Sequence, residues 1–174
     1  MIRIGILAFA AFALAIATSL AQSNQRSSWK ALAEGGAEVE VAPEAATPPV
    51  VNEQNTNALR ITVKQTGKRF GIVCADMGNA KLQTCQWYDL SFNARTDTRK
   101  TFALTVSLES PNGKIVAART TLPEVGRTNW THYTVSLHVL QPVSKSGMVI
   151  ALADTGSIWL NDVSVVLRNS NDKP

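Results

Sequence analysis

In the stretch "QWYDLSFNAR", polar residues and an indole (Trp87, Asp89, Ser91, Asn93, Arg95) alternate with the apolar Tyr88, Leu90, Phe92 and Ala94. A period of two belongs to a β-strand, whose successive side chains point to opposite faces. One row therefore packs inward, and the other presents an indole, a carboxylate, an amide and a guanidinium. "NWTHYTVSLH" repeats the arrangement, with Trp130, His132, Thr134, Ser136 and His138 opposite Tyr133, Val135 and Leu137. In "GSIWLNDVSVVL", Trp159 lies opposite Ile158 and Leu160. A flat aromatic beside planar hydrogen-bonding groups suits a sugar ring, which has an apolar C–H face and a rim of hydroxyls. Burying roughly 100 Å² of one indole against such a face contributes about 2.5 kcal/mol at most. After association costs, two such platforms hold a ligand only weakly, so several sugar units must be bound together. The candidate polysaccharide-binding residues are Trp87, Asp89, Asn93, Arg95, His132 and Trp159. Trp130, at the mouth of its strand, reads as a cap over the core edge.

Other chemistry finds less support. The two histidines, His132 and His138, lie six residues apart on one strand with no nucleophile in an elbow context and no third metal ligand. "GKRFG", "VGRTN" and "MGNAK" lack the spacing of a phosphate loop. A glycosidase needs two carboxylates across a cleft. Asp97 and Asp154 sit in turns, Glu109 ends a strand and Glu124 follows Pro123 in a loop, so nothing pairs them with each other or with Asp76, Asp89 or Asp162. The expectation is a protein without catalytic residues, without a metal site and without a cofactor.

The elements that position these rows are strands. From about Asn57 onward, short alternating runs are separated by turn residues such as "QTGK", "PNGK" and "DTGS". "TFALTVSLESPNGKIVAARTTL" is the clearest hairpin, with Phe102, Leu104, Val106 and Leu108 on one side. Tyr88, Phe92, Phe102 and Tyr133 belong to the core. With an earlier strand near "AEVEVA", the pattern predicts about nine strands and no helix in the mature protein, which means an all-β, two-sheet antiparallel sandwich or jelly roll. "VAPEAATPPVVNEQNTN" is read as a long loop within one domain, with a linker as the alternative. In "GSIWLNDVSVVL", Ile158 and Leu160 share an inward phase that Val163, Val165 and Leu167 resume only across one extra residue. That predicts a β-bulge at Asn161-Asp162.

Length and flanks set the frame. The 174 residues suffice for one domain with a real core. Arg3, an apolar run from Ile4 to Ala17, and small residues at Ser19 and Ala21 read as a secretory signal covering residues 1–21; an uncleaved anchor is the alternative. No Cys follows the apolar run, so a lipid anchor is unsupported, and nothing later resembles a membrane span. Residues 22–26 and 169–174 read as tails flanking a domain over 27–168. A secreted or periplasmic location favours joining Cys74 to Cys85 in a disulfide, with two reduced thiols as the alternative. The formal charge of +4 falls to +3 when Arg3 is removed, and the basic residues form no aromatic-studded stripe, which argues against nucleic acid as a partner.

Taken in order, "YDLSFNART", "LTVSLESPNGK", "TNWTHYTVSL" and "GSIWLNDVSVVL" resemble carbohydrate-binding modules of the family 4/9/22 type, which are galactose-binding-like jelly rolls. "SSWKALAEGGAEVEV" and "NALRITVKQ" fit the first strands of that pattern, so the resemblance runs from Ser27 to Arg168. It implies a non-catalytic sandwich, usually attached to a glycoside hydrolase, that binds β-glucan, xylan or related polysaccharides. Aromatics of the concave sheet or loop tips carry such binding, and Trp87 and Trp159 are the positions that match. Many such modules also hold a structural calcium fed by a terminal "DDV" or "DNV". Here Asn161 replaces the usual Asp and no acidic "FE" pair precedes "SSWKA", which weighs against calcium. The other reading is an envelope structural or protein-interaction sandwich whose protein partners the sequence leaves unnamed.

Overall fold

The computed structural model describes residues 29–45, 57–74 and 82–168. They form ten strands and no helix: β1 (Trp29–Glu34), β2 (Glu38–Ala45), β3 (Asn57–Gln65), β4 (Arg69–Cys74), β5 (Trp87–Thr96), β6 (Phe102–Glu109), β7 (Val116–Val125), β8 (Thr131–His138), β9 (Gly147–Leu152) and β10 (Gly156–Leu167). The strand beyond the nine expected is β1. "WKALAE" lacks the β-branched residues that favour strands and has only weak alternation, and it forms through pairing with β4 at a sheet edge. The predicted signal, the tails and residues 46–56 of the predicted long loop lie outside the described residues.

Two five-stranded antiparallel sheets face each other as a jelly-roll sandwich. Sheet I has the order β1-β4-β9-β6-β7 and sheet II the order β2-β3-β10-β5-β8. Only the β2–β3 and β6–β7 connections stay within one sheet. "QTGK" and "DTGS" therefore carry the chain across the sandwich, while "PNGK" closes the true hairpin between β6 and β7. This interleaving makes each sheet supply half of a shared core, so neither is stable without the other.

The inward rows meet in that core. Tyr88, Leu90, Phe92 and Ala94 of β5 pack with Ile61 and Val63 of β3, Leu104, Val106 and Leu108 of β6, Ile150 of β9, and Ile158 and Leu160 of β10. Phe92 stacks on Tyr133 at a ring-centroid distance of 5.5 Å. Tyr133 is partly buried, and its hydroxyl accepts a hydrogen bond from the Gly126 backbone N–H at 3.0 Å.

The disulfide expectation is corrected. The structure does not join Cys74 and Cys85: Cys74 ends β4 of sheet I and is fully buried, whereas Cys85 sits exposed in the turn leading into β5 of sheet II. Cys85 has a φ of 64°, and its backbone N–H is held by the carbonyl of Val139 at 2.9 Å.

Candidate functional site

The outward row of β5 lies on sheet II's outer face between the central strand β10 and the edge strand β8. Register places the candidate residues in successive cross-strand rows. Arg95 is opposite Trp159, and Trp159 is opposite Arg60 of β3. Asn93 lies between His132 of β8 and Asn161 of β10; Ser91 between Thr134 and Ser164; Asp89 between Ser136 and Val166. Trp87 faces His138. All six residues singled out in the sequence thus share one face of one sheet. At roughly 3.3 Å per residue, Trp87 and Arg95 lie about 26 Å apart along β5.

At one end, Trp87 is 43% exposed and stacks on His138, with ring centroids 4.6 Å apart and planes inclined by 19°. The Arg168 guanidinium covers the same indole at 5.8 Å. It also clamps Asp89: Arg168 Nε donates to Oδ2 at 3.0 Å and Nη2 to Oδ1 at 2.6 Å, while the Ser136 hydroxyl donates to Oδ1 at 2.8 Å. The Arg168 bond holds the Asp89 carboxyl below its ordinary pKa; partial burial opposes this and the Ser136 bond adds to it. This end is an exposed aromatic platform on a neutralised, hydrogen-bonded base.

The middle of the face is a polar lattice. Asn93 Oδ1 can only accept, so His132 Nδ1 donates to it at 2.9 Å. His132 itself remains exposed, and its Nε2 is 3.3 Å from the Thr134 hydroxyl. The hydroxyls of Ser91 and Ser164 bond at 2.8 Å across the β5–β10 boundary. Their pairing follows the predicted bulge: the register shifts between Asn161 and Ser164, and Asp162 has a φ of 49°.

At the other end the geometry is different. Trp159 is buried, 6% exposed, against Ala58 and half-buried Trp130. The Arg95 guanidinium lies over it at 4.4 Å from the ring centroid and over Trp130 at 5.5 Å. Trp130 is held there by the loop after β7, where the Thr96 N–H donates to the Arg127 carbonyl at 2.7 Å. Gly126 permits that approach, with a φ of 97° and room for no side chain: a Cβ there would sit 2.5 Å from Thr96 Cγ2. Trp159 is therefore a wall under Arg95 and not the open sugar platform that the sequence suggested.

Several residues escaped the sequence reading. His138 and Ser136 were visible in the outward row of β8 but carried no partner signal. Trp130 read as a cap, which is half of its role, since it also faces Arg95. Arg168 follows the last alternating residue of β10, so no periodicity marked it; it reaches the face because its N–H bonds the Trp87 carbonyl at 2.9 Å. For calcium, the residues present do not fit: Asn161 Oδ1 accepts the Asp162 N–H at 2.8 Å, capping its own bulge, and the described residues contain no cluster of three or more His, Cys, Asp or Glu. Among the described residues no helix is long and apolar enough to cross a membrane.

No protein-family model matches the sequence, and no curated protein does. Solved structures do match. A CBM4 module superposes with a TM-score of 0.57 at 16% identity over 85% of this chain and 92% of its own. The family 11 carbohydrate-binding module of Clostridium thermocellum, in complex with a β-1,3-1,4-mixed-linked tetrasaccharide, gives 0.54 at 12% identity over 85% of this chain and 92% of its own. The fold is that of a carbohydrate-binding module. An arabinose-bound GH51 α-L-arabinofuranosidase contains the same sandwich, with a TM-score of 0.69 and 21% identity over 85% of this chain but 24% of that enzyme. The chain thus spans about a quarter of that enzyme's length.

Proposed function

We propose that this is an exported, non-catalytic carbohydrate-binding domain that takes a polysaccharide of the β-glucan or xylan class on the outer face of sheet II. The observation that carries the reading is Trp87: a large indole left 43% exposed and locked in orientation between His138 and Arg168. An exposed apolar surface held this rigidly loses little entropy on binding, which is what a weak, stacked sugar contact requires. Further along the same face, the polar lattice of Asn93, His132 and Thr134 supplies donors and acceptors for hydroxyls. Export follows from the leader-like pattern of residues 1–21, and the lack of a paired-carboxylate cleft in the sequence supports a binding role.

Affinity electrophoresis of the mature protein through gels containing soluble β-glucans, xylans or mannans tests this reading. Retardation in a β-glucan or xylan gel, weakened in Trp87→Ala with the fold intact, is the expected result. Unaltered mobility in every gel would move the reading to a protein-interaction sandwich.

A further inference from the structure

We infer that Arg95 recognises a carboxylate, so that the polysaccharide taken by this face carries uronate groups; the inference rests on the polysaccharide reading above. The outer face of sheet II and its edge carry four Arg or Lys side chains besides the histidines. Three have carboxylate partners: Arg60 with Glu44 at 3.4 Å, Lys64 with Glu40 at 3.0 Å and Arg168 with Asp89 at 2.6 Å. Arg95 has none among the described residues. Its guanidinium instead lies over the indoles of Trp159 and Trp130, at 4.4 and 5.5 Å from their centroids. These two contacts restrict the guanidinium and leave its charge without a carboxylate among the described residues.

Two further donors mark the same spot. Arg95 Nε and Trp159 Nε1 are buried and have no hydrogen-bond acceptor among the described residues. Both are sealed from solvent, so they mark a desolvated base beneath the guanidinium and do not themselves meet the ligand. The Nη groups have no hydrogen-bond partner among the described residues and are not among the sealed unsatisfied atoms, so this half-buried side chain keeps part of its fork open. A planar, oriented, partly desolvated guanidinium is matched by a planar two-oxygen anion, which it binds through parallel hydrogen bonds. A neutral sugar hydroxyl would accept from it but would leave the charge unanswered. On a polysaccharide the planar two-oxygen anion is the carboxylate of a uronic acid. The adjacent row, Asn93 with His132, is placed to meet the hydroxyls of the same or the next residue.

The test uses one xylan bearing glucuronate side groups and the same polymer after its carboxyls are reduced to alcohols, so that the backbone is unchanged. Isothermal titration of the mature protein is expected to show roughly tenfold or more weaker binding to the reduced polymer, the size of a lost charge-assisted contact. Arg95→Gln should lose at least the same factor on the acidic polymer and clearly less on the reduced one, where only a neutral hydroxyl contact is removed. Arg95→Lys, which keeps the charge without the fork, should fall between. Arg119→Gln, an exposed residue on sheet I, removes the same net charge and should bind as the unaltered protein does. Equal affinity of the unaltered protein for both polymers overturns the carboxylate assignment and leaves the polysaccharide reading standing. Binding to neither polymer, nor to the neutral panel, overturns both. Because the polymer comparison needs no variant, an Arg95→Gln protein that fails to fold does not blunt the test.

Discussion

Two arginine–indole contacts stand at opposite ends of the same sheet face, and they are built in opposite ways. At the Trp87 end the arginine is spent on its own protein: Arg168 is clamped to Asp89 and the indole is left exposed. At the Trp159 end the indole is spent on the protein: it is buried against Ala58 and Trp130, and the Arg95 guanidinium is left without a carboxylate among the described residues. One end therefore offers an apolar plate and the other a charge. The difference shows that a tryptophan on a polar strand face does not define a binding platform by itself; what matters is which member of the pair the fold has already satisfied.

Breaking the indoles separates the two ends most sharply. Trp159→Ala removes a buried side chain and should destabilise the protein by about 3 to 5 kcal/mol, read as a lower urea midpoint. Trp87→Ala should cost stability under about 1 kcal/mol, because that ring is half in solvent, yet weaken polysaccharide binding roughly tenfold through the lost stacking area. If the two substitutions had similar effects on stability, the contrast between wall and plate would be wrong.

The Asp89–Arg168 clamp gives a smaller and pH-dependent signal. The Asp89 pKa is lowered in the folded state, so the stability it contributes is present above its unfolded value of about 4 and is lost as pH falls through the depressed folded value. For a partly exposed pair, Asp89→Asn should cost about 0.5 to 1 kcal/mol at neutral pH. Denaturation midpoints at neutral and acid pH check the sign: the variant should lose less stability than the unaltered protein on acidification, and an equal loss would mean that the clamp contributes nothing.

The sandwich and its core were legible in the sequence because period-two alternation is a direct consequence of strand geometry. Phe92, Leu104 and Ile158 could hardly face elsewhere, and the change of phase at Asn161-Asp162 announced the bulge. The six outward candidates fall on one face for the same reason. Alternation says which side a residue takes, but not what covers it there. That is why Trp159, read as a platform, is enclosed by Trp130 and Arg95, partners that come from a loop and a neighbouring strand. Arg168 was invisible because its role depends on a salt bridge to a residue 79 positions away. The expected disulfide rested on compartment and count, and neither constrains where two side chains point.

Nuclear magnetic resonance of the indole N–H groups tests the central claim most directly, because the chain has four tryptophans and three of them, Trp87, Trp130 and Trp159, lie on this face while Trp29 lies on β1 of sheet I. During titration with a xylan oligosaccharide bearing glucuronate, the Trp87 and Trp130 resonances should shift saturably and Trp29 should stay still. A saturable shift of Trp29 with the three others unmoved would place binding on the opposite sheet and contradict the account.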